Sequence, residues 1–327
     1  MIRRFTITAT FTSILAVALL AGCGEAPEDE LRDALPTASE LSFTIPAGAQ
    51  QAQSEAGKKV SALLGARAEL YNLTYNVTHD LNGSVWKGLH VIESIVRHRP
   101  SAVSANHAVW GPHTPPLEPL TWRLIVRKEQ LPGHYSYNLA ARPKLVPSAQ
   151  FTTILAGTSI RGIGGFRGVY TANGDALHGL DPQTYEDTGK MVATYNTTRG
   201  RRFVDLVLAG YSDDGGKNVD LAYKYRALVT GAGHFRFVAK TDLQDNGSAA
   251  ESLAVVTAWD NSGAGRGEAV VTGGDIQNGV TLHMSECWDA GFGRVFYTDN
   301  LNFKPTEGDP SRCALSRAPS TGDVNAE

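Results

Sequence analysis

Cysteine is scarce in this sequence, with three residues in 327, and none of them stands at the short spacing that zinc sites require. The nine histidines contain no His-x-x-x-His or Glu-x-x-His spacing, so we predict neither a metal nor a cofactor. No Gly-x-Ser-x-Gly motif occurs, which argues against the nucleophile elbow of the α/β-hydrolases. These absences favour a protein without enzymatic activity.

An excess of basic residues is also missing, because 30 Lys and Arg stand against 33 Asp and Glu. Nucleic acids and anionic lipid headgroups attract proteins mainly through positive charge, so a mildly acidic chain argues against both as direct partners. Hydrophobic residues make up 42% of the chain and charged residues 19%. That balance is typical of a globular protein that can bury a sizeable core.

The N-terminus lacks the long apolar run of a membrane-spanning helix. Arg3 and Arg4 precede residues 5–20, all of which are apolar or carry a small hydroxyl group. The strictly apolar part, residues 14–21, is shorter than the roughly 20 residues that a membrane span needs. A basic start, a short apolar core and small residues at its end predict a signal peptide over residues 1–22.

The signal peptide ends in Leu20-Ala21-Gly22-Cys23, which resembles the lipobox of bacterial lipoproteins. The resemblance implies cleavage between Gly22 and Cys23, a diacylglycerol on the Cys23 sulfur and acylation of the new amino group. Two or three acyl chains, at about 0.8 kcal/mol for each buried methylene, would hold the protein on a membrane. Gly24 in place of aspartate implies the outer membrane of the cell envelope. An ordinary secretory signal with an incidental cysteine is the alternative.

Cys287 and Cys313 remain once Cys23 carries lipid. In an oxidising compartment this pair predicts a disulfide, with two buried thiols or a metal site as the alternatives. Closing a loop of this length would stabilise the fold by about 3–4 kcal/mol. The bond would hold the C-terminal tail, residues 304–327, against the last strands.

The first part of the mature chain divides into two segments by composition. Residues 23–53 are rich in Ala, Glu, Pro, Ser and Gln without periodicity, which predicts a flexible, lipid-anchored spacer. In residues 54–99 apolar side chains recur every three or four positions, which predicts an amphipathic helix. Asn82-Gly83-Ser84 interrupts this stripe. One kinked helix and two helices, the second capped by Ser84, are therefore both compatible with the pattern.

Residues 100–120 contain five prolines and predict a loop. Trp110, Leu117 and Leu120 suggest that this loop packs on the body of the protein.

From Thr121 to residue 303 the apolar period switches to two, which predicts an antiparallel β domain that packs with the helices as one unit. Glycine- and asparagine-rich turns separate the strands, and Trp-Asp followed by Gly-x-Gly-Arg occurs at Trp259 and again at Trp288. The predicted strands are 122–128, 135–141, 151–157, 165–171, 190–196, 202–209, 219–228, 234–240, 253–259, 268–272, 280–286 and 294–297.

The fold class predicted from these elements is α+β. An N-terminal amphipathic helix or helix pair would pack on a large antiparallel up-and-down sheet, curled into a barrel or half-barrel because wide sheets twist and leave edges exposed. At the level of fold alone, this arrangement resembles the half-barrel of periplasmic lipid-carrier lipoproteins.

Three functions remain open at the level of sequence. The first is a non-enzymatic envelope lipoprotein that binds or carries an apolar small molecule or lipid. The second is a structural or interaction lipoprotein with a solid core and an envelope protein as partner. The third is a hydrolase whose acidic residues, for example Asp260 and Glu286, meet only in the folded chain.

Overall fold

The computed structural model describes residues 26–47, 66–84, 86–212, 219–241, 250–274, 276 and 279–317. The helices are α1 (Pro27–Asp33), α2 (Ala38–Leu41), α3 (Glu69–Ser84), α4 (Lys87–Val96) and α5 (Gly174–Leu180). The strands are β1 (Ala102–Val103), β2 (His107–His113), β3 (Leu120–Lys128), β4 (His134–Pro143), β5 (Thr152–Gly162), β6 (Gly165–Asn173), β7 (Thr188–Asn196), β8 (Arg202–Ser212), β9 (Val219–Ala227), β10 (Gly233–Thr241), β11 (Glu251–Trp259), β12 (Gly265–Gly273), β13 (Thr281–Trp288), β14 (Arg294–Asp299) and β15 (Glu307–Gly308).

The strands form one antiparallel sheet of 15 strands in which each strand pairs with its neighbours in the chain. This confirms the predicted up-and-down sheet. The strand order runs from β1 to β15 without a pairing between these two ends, so the prediction of a closed barrel is wrong. Both terminal strands are only two residues long, which leaves little backbone to close the sheet. The part of the chain that the structure describes is mostly sheet with few helices, rather than a balanced α+β fold.

The strands follow from alternating side chains. In β8 the side chains of Val204, Leu206 and Leu208 are buried, whereas Val207 between them is 52% exposed. The buried side chains of β8 lie beside a row of aromatic residues on the neighbouring strands β9 and β10, where Tyr225 pairs with Phe235. Aromatic and β-branched pairs of this kind stabilise neighbouring strands by about 0.2–1 kcal/mol each.

Residues 27–46, predicted as part of a flexible spacer, are instead packed into the core, so that part of the prediction is wrong. Leu31, Leu41 and Phe43 are each at most 3% exposed. Phe43 lies between the rings of Trp86 and Tyr225, with centroids 5.6 and 5.3 Å away. The sequence does not predict this packing, because the apolar side chains of the segment recur at neither the helical nor the strand period. Each of them instead fits a separate site on the sheet.

The helical stripe of residues 54–99 corresponds to α3 and α4 over the part that the structure describes. Helix α3 ends at Ser84 and α4 begins at Lys87, so two helices form rather than one. The residue that precedes α4 is Trp86, which is 1% exposed, whereas the sequence suggested Ser84 as the cap. The two helices join the core shared with the strands.

The proline-rich segment 100–120 is not the predicted loop, because β1 and β2 lie within it. Strand β2 pairs with β3, and the register shifts between Trp110 and His113, where the Gly111–Pro112 peptide bond is cis. A proline in a sheet is usual at such an irregularity. Trp110 and Leu120 are buried as predicted, but Leu117 is fully exposed.

The repeated Trp-Asp motif builds two similar hairpin turns. The Asp289 carboxylate accepts hydrogen bonds from the backbone of Gly291 and Gly293, and the Asp260 carboxylate accepts one from Ser262. The indole N–H of Trp288 donates to the carbonyl of Gly263 at 3.1 Å. The repeat therefore serves turn formation and packing against the preceding hairpin.

Cys287 and Cys313 are joined by a disulfide, with their Cα atoms 5.7 Å apart. Cys287 forms a small second core with Val295 and Phe296, and Cys313 packs against it. The predicted pairing thus ties the C-terminal tail to the last strands.

Candidate ligand cavity

A cavity of about 390 Å³ lies between α4, α5 and strands β3–β8. Its volume falls within the range of small-molecule binding sites, roughly 300–1,000 Å³. Most of the lining is apolar and comes from Val91, Trp122, Leu139, Ile154, Leu155, Ala172, Leu177, Met191 and Leu208.

Small residues and a short helix create this space. Gly88 of α4 packs so close to β5 that an added Cβ would lie 3.2 Å from Leu155 Cδ1. Helix α5, which follows β6 in the chain, lines the same cavity as α4. Its N-cap is Asn173, whose side chain accepts a hydrogen bond from Ala176 N at 3.1 Å. Asp175 holds the following loop because its carboxylate accepts a hydrogen bond from Gly189 N at 2.7 Å.

Polar groups lie around the cavity. Lys87 Nζ is 2.7 Å from Asp187 Oδ2, in an ion pair that is partly exposed to solvent. The Tyr185 hydroxyl donates a hydrogen bond to Glu118 at 2.8 Å. Burial, followed by this bond to a carboxylate, raises the pKa of Tyr185 above its ordinary value. Tyr185 therefore stays a neutral hydrogen-bond donor at physiological pH.

The strongest buried ionic cluster lies elsewhere, between β13, β14 and α3. Arg294 has a side chain without solvent exposure, and its Nε lies 2.6 Å from the equally buried Glu286 carboxylate. Glu286 also accepts hydrogen bonds from the backbone N–H groups of Glu69 and Leu70, at 3.0 and 2.7 Å, at the start of α3. Glu307 and Glu69 complete the surroundings of Arg294.

This ionic cluster has a structural role, because both carboxylate oxygens of Glu286 already accept hydrogen bonds from Arg294 or from the N-terminus of α3. Burial raises the pKa of Glu286, against the opposing effect of these hydrogen bonds. Asp260 lies in the β11–β12 turn and is engaged with Ser262. The structure does not bring the two acids to one site, and neither lines the cavity.

A second polar cluster is formed by three core tyrosines, Tyr137, Tyr170 and Tyr195. Each is at most 3% exposed. Burial raises the pKa of Tyr195 to about 12 and raises those of Tyr137 and Tyr170 well above their usual range. These phenols pack as neutral core residues.

The histidines do not assemble a metal site in the part of the chain that the structure describes. His79 stacks on Tyr75, with ring centroids 6.2 Å apart, and His90 Nδ1 lies 3.2 Å from Glu93. Among the described residues, no group of three His, Cys, Asp or Glu side chains comes together as a possible metal centre. No described helix has the length and apolarity needed to cross a bilayer.

The site residues predicted from sequence do not coincide with the cavity. Gly22 and Cys23 lie outside the described residues, and Cys287 and Cys313 lie away from the cavity lining. The cavity residues were missed, because Leu139 and Ala172 look like ordinary strand residues in the sequence. The one available signal is Asn173-Gly174-Asp175, a sequence typical of a hairpin turn, which instead caps and begins α5.

The chain was compared with protein-family models, with curated proteins and with solved structures, and none of them matches.

Proposed function

We propose that this protein is a membrane-tethered envelope lipoprotein that binds an apolar small molecule or lipid and has no enzymatic activity. The observation that carries the ligand-binding part is the apolar cavity between α4, α5 and the sheet. An apolar tail would bury its surface against Leu139, Ile154 and Leu155, which stabilises binding by roughly 25 cal/mol per Å². A polar head would lie near the Lys87–Asp187 ion pair.

We also propose that the open sheet curves around the helices as a half-barrel. Support comes from the order in which the N-terminal segment contacts successive strands. Glu30 accepts a hydrogen bond from Tyr135 of β4, and the carbonyl of Ala34 accepts one from Ser159 of β5. Further along the segment, the carbonyl of Thr44 accepts a hydrogen bond from the hydroxyl of Tyr225 of β9. A short segment can reach so many strands most easily from the inside of a curve.

The cavity is tested by filling it. Ala172→Trp places an indole among the lining residues, and we expect it to weaken binding of the apolar fluorophore N-phenylnaphthylamine by about tenfold or more, equivalent to at least 1.4 kcal/mol. Native mass spectrometry of the unsubstituted protein should show a co-purifying apolar ligand that the variant lacks.

The matched control is Thr171→Trp, one residue away on the same strand, where the side chain is exposed. It should leave probe binding unchanged. Failure of the unsubstituted protein to bind the probe, together with a ligand-free mass, would contradict this proposal and favour a structural lipoprotein with a solid core.

The tether is tested separately through Cys23. Labelling of the producing cells with radioactive palmitate should mark the protein, and Cys23→Ser should abolish the label because the acceptor sulfur is gone. Cys313→Ser is the control, since its sulfur is joined to Cys287. A Cys23→Ser variant that still carries palmitate would show that the lipid is elsewhere.

A further inference from the structure

Four neighbouring hairpin turns form one edge of the sheet. They connect β3–β4, β5–β6, β7–β8 and β9–β10, so antiparallel order places all four at the same ends of the strands. Adjacent turns contact one another: Arg161 N donates to Gly133 O and Arg199 N donates to Ile163 O, both at 2.8 Å. Gly200 of the third turn lies so close to the fourth that an added Cβ would clash with Val229 Cγ1. We name this surface, which consists of the turns 129–133, 163–164, 197–201 and 228–232 and the adjoining strand ends, the arginine edge.

Large aliphatic side chains project from three of the four turns. Leu131 is 63% exposed, Ile163 72%, Leu228 44% and Val229 77%. A single exposed aliphatic residue is ordinary on a protein surface, but several on contiguous turns are typical of an interaction site. Turn residues with aliphatic tips can enter the headgroup region of a bilayer without disturbing the sheet behind them.

Four arginines lie among these aliphatic side chains. Arg161, Arg167, Arg199 and Arg201 line a shared concavity of about 370 Å³, together with polar side chains from the third turn. All four are exposed, and none forms a salt bridge with another residue in the described part of the chain. Guanidinium groups bind phosphate oxygens in a bidentate manner, so this concavity suits phosphate-bearing headgroups.

The first helix that the structure describes, α1, contacts the same edge. Glu30 of α1 accepts hydrogen bonds from Lys128 and Tyr135, the residues that flank the β3–β4 turn. The hydrogen bond from Lys128, followed by that from Tyr135, lowers the pKa of Glu30, so the contact is made by a carboxylate. Cys23 stands four residues before Pro27, and four residues span at most about 14 Å. The argument that a membrane lies close to this edge rests on the proposed lipid at Cys23. The exposed arginines and aliphatic side chains of the edge are independent of that lipid.

We propose that the arginine edge docks on an anionic phospholipid bilayer. Arg161, Arg167, Arg199 and Arg201 bind headgroup phosphates, while Ile163 and Val229 enter the interface. The net charge of −3 argued against anionic lipid, but a total charge averages over the surface and conceals a local cluster of exposed arginines. The cavity, lined by the opposite ends of β6, β7 and β8, then faces away from the bilayer.

The test uses the full chain purified from envelopes and mixed with vesicles of phosphatidylcholine, with or without phosphatidylglycerol. Val229→Cys carries an environment-sensitive fluorophore, and Leu145→Cys carries it at the opposite edge, where Leu145 is 90% exposed. With phosphatidylglycerol present, the Val229 label should shift to the blue and lose most of its quenching by iodide. The Leu145 label should not change.

The arginines are tested in the labelled protein. Each arginine near an anionic surface contributes about fivefold to binding, so R199Q with R201Q should lower the ratio of docked to undocked protein by about 25-fold. R97Q with R99Q removes the same charge beside α4, where the His98 ring lies 5.5 Å from that of His113, and should have little effect. I163S should also weaken docking on the vesicles that contain phosphatidylglycerol, because an aliphatic side chain that enters the interface is lost.

Three results would overturn the docking proposal: a Val229 label that responds equally to neutral and anionic vesicles, a protected Leu145 label, or an equal loss in the R97Q/R99Q control. Palmitate labelling reports the tether independently. A protein that carries no lipid but still shows the phosphatidylglycerol-dependent shift would refute the tether and retain the docking surface.

Discussion

Arg294→Met is expected to lower the free energy of unfolding by about 3–5 kcal/mol, the usual cost of leaving a buried charge without its partner. The Arg294 side chain has no solvent exposure and lies 2.6 Å from the Glu286 carboxylate, which is also fully buried. Methionine preserves much of the volume but removes the positive charge that three glutamates share. Urea unfolding followed by tryptophan fluorescence measures the change.

The double variant Glu286→Gln with Arg294→Met should recover part of that loss, because it removes both buried charges and the single amide oxygen can still accept a hydrogen bond from one of the two backbone groups, Glu69 N or Leu70 N, at the start of α3. The control is Arg312→Met, an exposed arginine of the C-terminal tail. If Arg294→Met lowers the free energy of unfolding by less than about 1 kcal/mol, its effect resembles that of an ordinary surface substitution. That result would contradict the structural role of this ionic cluster.

Cys313→Ala is expected to lower the free energy of unfolding by about 3–4 kcal/mol, because it opens a covalent loop and restores freedom to the unfolded chain. The cross-link joins residues 26 positions apart. Cys313 is the better position to change, since Cys287 is fully buried beside Val295 and Phe296 and its replacement would also disturb packing.

Reductant provides the matched control for the disulfide. Dithiothreitol should lower the stability of the unsubstituted protein to that of Cys313→Ala and should leave the variant unchanged. If the two proteins unfold at the same urea concentration before reduction, the cross-link contributes nothing and the loop-entropy argument does not apply.

The alternation of side chains predicted the sheet well. The twelve predicted strands correspond in order to β3–β14, with ends displaced by a few residues. Alternation is a local property: a strand with one buried face, such as β8 with Val204, Leu206 and Leu208, carries that information in its own residues.

Elements whose form depends on distant partners were predicted poorly. Strand β2 contains Gly111 and Pro112, which indicate a loop, and it becomes a strand only because β3 provides a ladder on which the irregularity is tolerated. Residues 27–46 look like a spacer because their few apolar side chains are separated by polar ones. They are ordered by sites such as the aromatic cluster around Phe43.

The cavity depended on the same long-range assembly. Lys87 and Asp187 are 100 residues apart in the chain and meet only when α4 and the loop after α5 lie over the same strands. The arginine edge likewise brings together turns from four hairpins, and no local pattern distinguishes Arg199 or Val229 from other turn residues.

The sequence by itself determined the features that reside in short, contiguous patterns: the alternating strands, most of the turns and the pair of cysteines. The tertiary structure alone decided that the sheet stays open, that residues 27–46 pack against it, and that a cavity and an arginine-rich edge lie at opposite ends of its strands. The physical reason is that backbone periodicity is set by neighbours in the chain. Cavities, ion pairs and surfaces are set instead by neighbours in space, which this meander brings together from distant positions.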